Sequence, residues 1–159
     1  MESADIRKPR WPAPLKWALF ALAGGFLAWR IVILGMAEQH ATELDDPATA
    51  LGWFAGHADA RLQSGLREQK DADAALAHLQ AAIEAKPTEG RSYAALGRLL
   101  ENRGDDERAR LAMETASRLS PQRSDVQMAV ATYWMRQGDL ERALVHWNTV
   151  LRHRPGLRA

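Results

Sequence analysis

The chain has 159 residues, of which 47% are hydrophobic and 26% are charged, and this suits one modest globular domain with an appendage. It contains no cysteine, which excludes disulfides, thiolate metal sites and cysteine nucleophiles. A formal net charge of +1 argues against a general nucleic-acid binder, so we expect no nucleic-acid partner.

The first predicted element is a membrane-spanning helix. Residues 17–37 are a run of 21 amino acids with a single charge, Arg30. At ~1.5 Å per residue, a helix of this length spans roughly 30 Å, the thickness of a bilayer core. Trp11 and Trp17 stand at its entry and suit the headgroup interface. We therefore predict a transmembrane helix over 17–37.

The flanking charges predict the orientation of this helix. No Lys or Arg follows the run until Arg61. Four basic residues precede it: Arg7, Lys8, Arg10 and Lys16. By the positive-inside rule, residues 1–16 are then a cytoplasmic tail, and everything after residue 37 lies across the membrane. In a Gram-negative bacterium this places the rest of the chain in the periplasm, anchored to the inner membrane.

A cleaved signal peptide is the alternative interpretation of this segment. Gly35-Met36-Ala37 is an acceptable small-x-small cleavage site. Against cleavage, Arg30 interrupts the apolar stretch and six more apolar residues follow it. We favour the anchor. The length and uniformity of the run argue against a third interpretation, the buried helix of a soluble domain.

Four residues of the run are candidate contacts inside the membrane. Ala21, Gly25 and Ala28 form a stripe of small side chains that would let another helix approach closely. Arg30 can be accommodated in two ways. Its long side chain can lift the guanidinium to the interface, or it can pair with an acidic residue in a partner's membrane helix. We favour the first.

Residues 38–55 connect the run to the rest of the chain. Asp45-Asp46-Pro47 is typical of a helix start, with proline near the first position. Two interpretations are equally supported. One is a short helix that packs on the first hairpin through Ala48, Leu51, Trp53 and Phe54, and the other is a semi-ordered linker.

Residues 56–159 contain an internal repeat with a period of 34 residues. One column is proline, and an alanine, a large apolar residue and a small residue stand twelve, eight and five positions before it. These columns are Pro87, Pro121 and Pro155; Ala75, Ala109 and Ala143; Leu79, Met113 and Trp147; Ala82, Ala116 and Val150. Gly104 and Gly138, each followed by Asp, are also one period apart.

This pattern resembles the tetratricopeptide repeat, in units of 56–89, 90–123 and 124–157. The second and third units match the family columns well. The first is degenerate, with Asp59 where an aromatic is usual and Gln63 where glycine is usual. The resemblance implies an all-α fold, in which an α-solenoid of three hairpins of antiparallel helices follows the N-terminal transmembrane helix.

We expect the six hairpin helices near 57–68, 72–85, 90–103, 107–118, 124–136 and 140–153. Gly104 and Gly138 should end first helices with a positive φ angle. Asp105 or Asp106 in the second hairpin, and Asp139 in the third, should cap the helix that follows.

The sequence shows no pattern that indicates catalysis. Its five histidines form no His-Glu-x-x-His motif, and it contains neither a Gly-rich phosphate loop nor a Gly-x-Ser-x-Gly elbow. We therefore expect a protein that is not an enzyme and that holds no metal and no cofactor.

The resemblance implies that a protein partner binds the concave face, which is lined by set positions of each first helix. Carried onto this chain, the candidate partner-binding residues are Arg67, Arg91, Arg98, Asn102, Met128, Thr132, Met135 and Arg136, with His57, Ala60, Ser64, Ala94 and Asp125 among them. The arginines would form a basic groove for an acidic segment or a peptide C-terminus. The alternative is that they are ordinary solvated charges.

The last hairpin offers a second candidate surface. Leu140, Leu144 and Leu151 form an apolar strip on its second helix, edged by Arg152, Arg154 and Arg158. We expect a docking surface there, and the alternative is that the strip packs inward.

Together these features predict a membrane-anchored scaffold or adaptor on the periplasmic side of an inner membrane. The layout resembles accessory subunits of envelope assembly or export systems for polysaccharide or protein. Two alternatives are an accessory factor of cytochrome c maturation and a structural subunit that self-assembles into a homo-oligomer.

Overall fold

The computed structural model describes residues 13–68 and 71–153, and all regular structure in those two ranges is helical. The eight helices found there are α1 (Ala13–Thr42), α2 (Pro47–Trp53), α3 (Ala58–Arg67), α4 (Ala72–Ala85), α5 (Gly90–Asn102), α6 (Asp106–Leu119), α7 (Ser124–Arg136) and α8 (Leu140–His153). The predicted all-α class, with a long N-terminal apolar helix followed by three stacked hairpins, is confirmed. Every hairpin helix begins and ends within one residue of its predicted bounds.

Glycine and aspartate form the tight turns inside the second and third hairpins. Gly104 and Gly138 both have φ of 76°, a conformation that a side chain disfavours. Asp105 then caps α6, because its Oδ1 accepts a hydrogen bond from the Arg108 N–H at 3.3 Å. Asp139 caps α8 in the same way, at 3.0 Å from the Arg142 nitrogen. Of the two candidate caps in the second hairpin, Asp106 is instead the first residue of α6.

The second and third hairpins share one apolar core, which includes Val130, Tyr133 and Trp134. Small residues let the helices of a hairpin cross closely. A Cβ built on Gly97 would lie 3.0 Å from Met113 Cγ and 3.2 Å from the Ala109 carbonyl oxygen. Ala109 itself is fully buried at this crossing. The alanine column of the repeat therefore marks the contact between first and second helices.

The first hairpin is built in the same way but in a different register. A Cβ on Gly65 would lie 2.8 Å from Leu79 Cγ and 3.2 Å from the Ala75 carbonyl oxygen, so Gly65 occupies the place of Gly97. These two glycines are 32 residues apart, whereas Ala75 and Ala109 keep the spacing of 34. The predicted frame, which put Gln63 at the glycine position, is corrected by two residues in α3. The reason is that Gly65 and Ala75 are ten residues apart, whereas Gly97 and Ala109 are twelve apart. Helix α3 ends two residues after Gly65, and α5 ends five residues after Gly97.

Helix α1 has two parts with different surroundings. Every side chain at 14–32 is exposed, including the large apolar residues Phe20, Leu22 and Ile31. Ala37 and Ala41, by contrast, are fully buried. In the described residues, 14–42 is the one helix apolar and long enough to cross a membrane, and its most apolar 18-residue stretch has a mean hydropathy of 1.9. A signal sequence would also fit these properties.

The end of α1 and helix α2 cover the first hairpin. Asp46 caps α2 by accepting a hydrogen bond from the Thr49 N–H at 3.1 Å, and Pro47 is its first residue. Ala41, Ala50 and Ala60 pack together and join α1, α2 and α3. The connector therefore contains the short helix rather than a semi-ordered linker, and α1 continues into it as far as Thr42.

Polar contacts add to this junction. Glu38 Oε2 lies 2.9 Å from His57 Nε2, and Gln63 Nε2 donates to the Ala41 carbonyl oxygen at 2.9 Å. Because His57 Nδ1 accepts from the Ala60 N–H, the ring proton is on Nε2 and points to Glu38. Apolar and polar contacts thus hold the end of helix α1 against the repeat array.

Candidate partner-binding groove

The first helices of the three hairpins, α3, α5 and α7, line a cleft of about 320 Å³, here called the groove. Its lining combines an apolar floor with three charged side chains. The residues are Leu62, Leu66, Arg91, Ala94, Ala95, Arg98, Asp125, Val126 and Ala129. A floor of alanine and valine leaves room for an extended segment, and the charged groups can orient it.

Arg91 lies between two carboxylates at one end of the groove. Its Nη1 is 3.6 Å from Asp59 Oδ1, and its Nε is 3.8 Å from Asp125 Oδ2. In the corrected frame these three residues occupy equivalent positions of α3, α5 and α7. Asp125 also accepts two hydrogen bonds from Arg123, at 3.1 and 2.8 Å, and these bonds hold its pKa below the ordinary value. The charge of Arg91 is therefore balanced.

Arg136 is also paired with a carboxylate. It forms a two-pronged pair with Glu101, with Nε and Nη2 donating at 2.9 and 2.5 Å to its two carboxylate oxygens. Hydrogen bonding to Glu101 raises the pKa of Arg136. This pair links α5 to α7 and so holds adjacent hairpins together, which leaves its guanidinium less available to a partner.

Arg98 is the open cation of the groove. Its side chain is exposed in the middle of α5. In the part of the chain that the structure describes, carboxylates pair with Arg67, Arg91 and Arg136, and none pairs with Arg98. It also lines a second cleft of about 420 Å³, between α5 and the first hairpin, together with Asn102. Both clefts are thus accessible to a ligand held by Arg98.

Four candidates on α7 lie outside the lining of both clefts, namely Met128, Thr132, Met135 and Arg136. Thr132 Oγ1 donates to the Met128 carbonyl oxygen at 2.8 Å, a bond within the helix. Met135 is half exposed, and its sulfur accepts from Trp147 Nε1 at 3.3 Å. Their role in partner binding stays a prediction.

The register shift in α3 moves the first-unit candidates away from the groove. His57 is bonded to Glu38, Ala60 is fully buried against α1 and α2, and Arg67 pairs with Asp45 in the α1–α2 turn. Ser64 is likewise outside the lining of the groove. These positions are corrected to Asp59, Leu62 and Leu66, which the sequence pattern did not indicate. Gly65 was the available signal, because it aligns with Gly97 once the segment between the glycine and alanine columns is shortened by two residues.

The membrane candidates lie on the exposed part of α1. Ala21, Gly25 and Ala28 are exposed, and a Cβ on Gly25 would meet no atom within 4 Å. Arg30 has a contact that neither sequence interpretation included: its guanidinium carbon lies 5.7 Å from the centroid of the Phe54 ring. Arg30 is therefore in contact with an aromatic ring of its own chain.

The strip on α8 is partly open. Leu140 and Leu144 are 64% and 61% exposed, and the neighbouring Val145 is 60% exposed. Leu151 is half-buried. Arg154, Arg158 and Pro155 lie outside the described residues.

Comparisons with known proteins agree with the repeat pattern. A family model described as tetratricopeptide repeat matches residues 66–133. A crystal structure of MamA is 16% identical, with a TM-score of 0.56 over 94% of this chain and 98% of that chain. Residues 41 to the end of MamA from Desulfovibrio magneticus RS-1 are 24% identical, with a TM-score of 0.55 over 79% and 71% of the two chains.

A further MamA structure is 17% identical, with a TM-score of 0.54 over 77% of this chain and 72% of that chain. At these identities the likeness establishes the fold alone. No curated protein matches the sequence.

Proposed function

The chain is a tetratricopeptide repeat protein, and from that premise we propose that it is a membrane-anchored adaptor that holds a protein partner in its groove. Repeat arrays of this kind are scaffolds for protein–protein interaction, because stacked hairpins present an extended concave surface. In this chain the array is continuous with the apolar helix α1, so a captured partner would be kept at a membrane.

The observation that carries this proposal is the open guanidinium of Arg98 above an apolar floor. A guanidinium forks onto a carboxylate with two parallel hydrogen bonds, which favours an acidic side chain or a peptide C-terminus. Ala94, Ala95 and Val126 leave space for the backbone of that segment. The occupant that fits is an extended acidic or C-terminal segment of another protein.

A pull-down of the full-length protein in mild detergent, read by mass spectrometry, tests the groove. Arg98→Glu is the test variant, and Arg118→Glu is its matched control, because Arg118 is exposed on α6 in a cleft formed mainly with α8. We expect Arg98→Glu to weaken partner binding ~10-fold, because the new negative charge would repel the partner's carboxylate. Equal recovery by wild type and Arg98→Glu would exclude the groove as the site.

The membrane location rests on α1 and its flanking charges. Nineteen exposed and largely apolar positions, 14–32, would be unfavourable in water and favourable in a bilayer. The basic residues before α1 favour a cytoplasmic N-terminus, which puts the repeats in the periplasm. An alkaline wash of membranes tests the anchor: the protein should stay in the pellet, and its release would indicate cleavage or peripheral attachment.

Within the envelope, we assign the protein to an assembly or export system for polysaccharide or protein, as an accessory subunit. A binding role with no chemistry of its own suits such a place. The partners recovered by the wild type and lost from Arg98→Glu would name the system. Recovery of cytochrome c maturation proteins instead would replace this assignment.

Self-assembly is a second candidate function, favoured by the exposed strip on α8. Leu140, Leu144 and Val145 present apolar area that would be buried between two copies. Light scattering of the full-length protein in detergent, with Leu144→Glu as the variant, tests it. An oligomer that Leu144→Glu dissociates would support self-assembly, and a monomeric wild type would exclude this strip as the contact.

A further inference from the structure

Helix α2 returns toward the exposed part of α1. Helix α1 ends at Thr42, the chain reverses, and α2 runs from Pro47 to Trp53. The Phe54 ring then lies beside Arg30, which is twelve residues, or ~18 Å, before the end of α1. The end of α2 and the turn that follows it, residues 52–56, are here called the apex. The apex therefore reaches the level at which α1 is still exposed and apolar.

The composition of the apex suits the boundary of a membrane. Its sequence is Gly-Trp-Phe-Ala-Gly, with no charged residue. The nearest acidic residues along the chain are Asp46 and Asp59. Trp53 is 40% exposed, and Gly52, Ala55 and Gly56 are exposed as well. Tryptophan is enriched at the headgroup level, where one side of the ring is apolar and the N–H meets water.

The contact between Arg30 and Phe54 belongs to the same arrangement. A cation over an aromatic face is stabilised more strongly where water is excluded. The ring rests on Gly56, since a Cβ there would lie 3.0 Å from Phe54 Cζ. The absence of a side chain at residue 56 thus places the ring where it meets Arg30. The charge of Arg30, which lies within the apolar run, is therefore next to an aromatic ring of the same chain.

The junction is rigid enough to fix this placement. Fully buried alanines from α1, α2 and α3 are in contact, and Glu38 and Gln63 add polar bonds across it. The apex cannot swing away from α1 without breaking them.

We propose that the apex is a second membrane contact, with Trp53 and Phe54 in the headgroup layer of the leaflet that α1 leaves. This inference rests on the proposed anchoring by α1. Its partner is the lipid surface, which the uncharged aromatic turn meets beside the membrane helix. The repeat array is then held at the bilayer by two points, so the groove keeps a fixed orientation toward the membrane.

Site-directed spin labelling tests this, because a chain without cysteine gives each single-cysteine variant one label. Full-length protein is placed in vesicles of phosphatidylcholine and phosphatidylglycerol. Gly52→Cys carries the label at the apex, where a Cβ meets no atom within 4 Å. Leu22→Cys is the reference inside the membrane, and Leu111→Cys is the exposed reference on α6. Collision rates with oxygen and with a water-soluble nickel complex report depth.

We expect the Gly52 label at interfacial depth, between the two references. A Gly52 label as accessible to nickel as the Leu111 label, with the Leu22 label still protected, would overturn the apex contact and leave the anchor intact. If the Leu22 label is also accessible, both the anchor and this inference fail. Adding Trp53→Glu to Gly52→Cys should shift the label toward water, whereas Leu111→Glu should leave it in place. An unchanged depth with Trp53→Glu would also contradict the proposal.

Discussion

The first hairpin and the second hairpin use the same helix crossing with different spacings along the chain. Gly65 meets Leu79 in one, and Gly97 meets Met113 in the other. Their second helices keep the period of 34, but the first helices are 32 residues apart. Packing of the first helix against the second at their crossing therefore defines the register of a repeat. The end of a first helix can lose residues without changing that contact.

Equivalent polar pairs in the first and third hairpins support the corrected register of α3. Arg61 Nη1 lies 3.4 Å from His78 Nδ1 in the first hairpin, and Gln127 Oε1 lies 2.7 Å from His146 Nδ1 in the third. Arg61 and Gln127 are equivalent when α3 is shifted by two residues, and His78 and His146 are two periods apart. The same place between two helices therefore holds a histidine in both hairpins.

The prediction with the largest expected effect tests the close helix crossing that both hairpins share. Ala75 and Ala109 are both buried at a crossing, so Ala75→Trp and Ala109→Trp should each lower the free energy of unfolding by about 3 kcal/mol or more through overpacking. Urea denaturation of full-length protein in detergent measures this. The control is Ala77→Trp on the exposed side of α4, which should change stability little. Tolerance of Ala109→Trp would show that the repeat frame is wrong.

A second prediction tests the shift in α3. Gly65→Val should cost about 2–3 kcal/mol, because the new side chain meets Leu79 and the Ala75 carbonyl, and Gly97→Val should cost a similar amount. Gln63→Ala should cost about 1 kcal/mol, for one hydrogen bond to Ala41. The same denaturation assay compares them. A larger loss from Gln63→Ala than from Gly65→Val would restore the uncorrected frame.

The prediction with the smallest expected effect concerns the pH dependence of stability and the third hairpin. Burial lowers the pKa of His146 below its ordinary value. The folded state then binds a proton less readily than the unfolded state, so stability is full above pH ~6.5 and declines as pH falls toward the lowered value. The charged residues that line the same cleft as His146 are Glu114, Arg118 and Arg142.

Unfolding of His146→Gln should therefore show a shallower decline than wild type between pH 7.5 and 5.5. Denaturation curves at the two pH values measure the difference. Parallel declines in the two proteins would mean that burial of His146 does not set the slope.

The sequence predicted the helices because their ends depend on local residues. Gly104, Gly138, Asp105 and Asp139 terminate or cap helices through their own backbone and side-chain geometry, so their spacing alone indicates each boundary. The register of α3 was not predicted, because in the degenerate unit only Gly65 indicates that the segment between the glycine and alanine columns is two residues shorter. The family columns placed Gln63 there instead.

The candidate site was predicted only in part. Arg91 and Arg98 do line the groove, as the first-helix positions indicated. Which arginines are balanced depends on carboxylates from other helices, such as Glu101 for Arg136, and no local pattern shows these pairs. The contact of Arg30 with Phe54 requires the direction of α2, which is also a tertiary property.

Photo-crosslinking in intact cells tests the central claim most directly. A photoreactive amino acid replaces Asn102, which is exposed and lines the cleft beside Arg98, and in a matched strain it replaces Arg118. We expect the Asn102 position to yield a defined adduct with one partner protein in the membrane fraction, and the Arg118 position to yield none. No adduct from Asn102, or the same adduct from both positions, would contradict a membrane-anchored adaptor that holds its partner at Arg98.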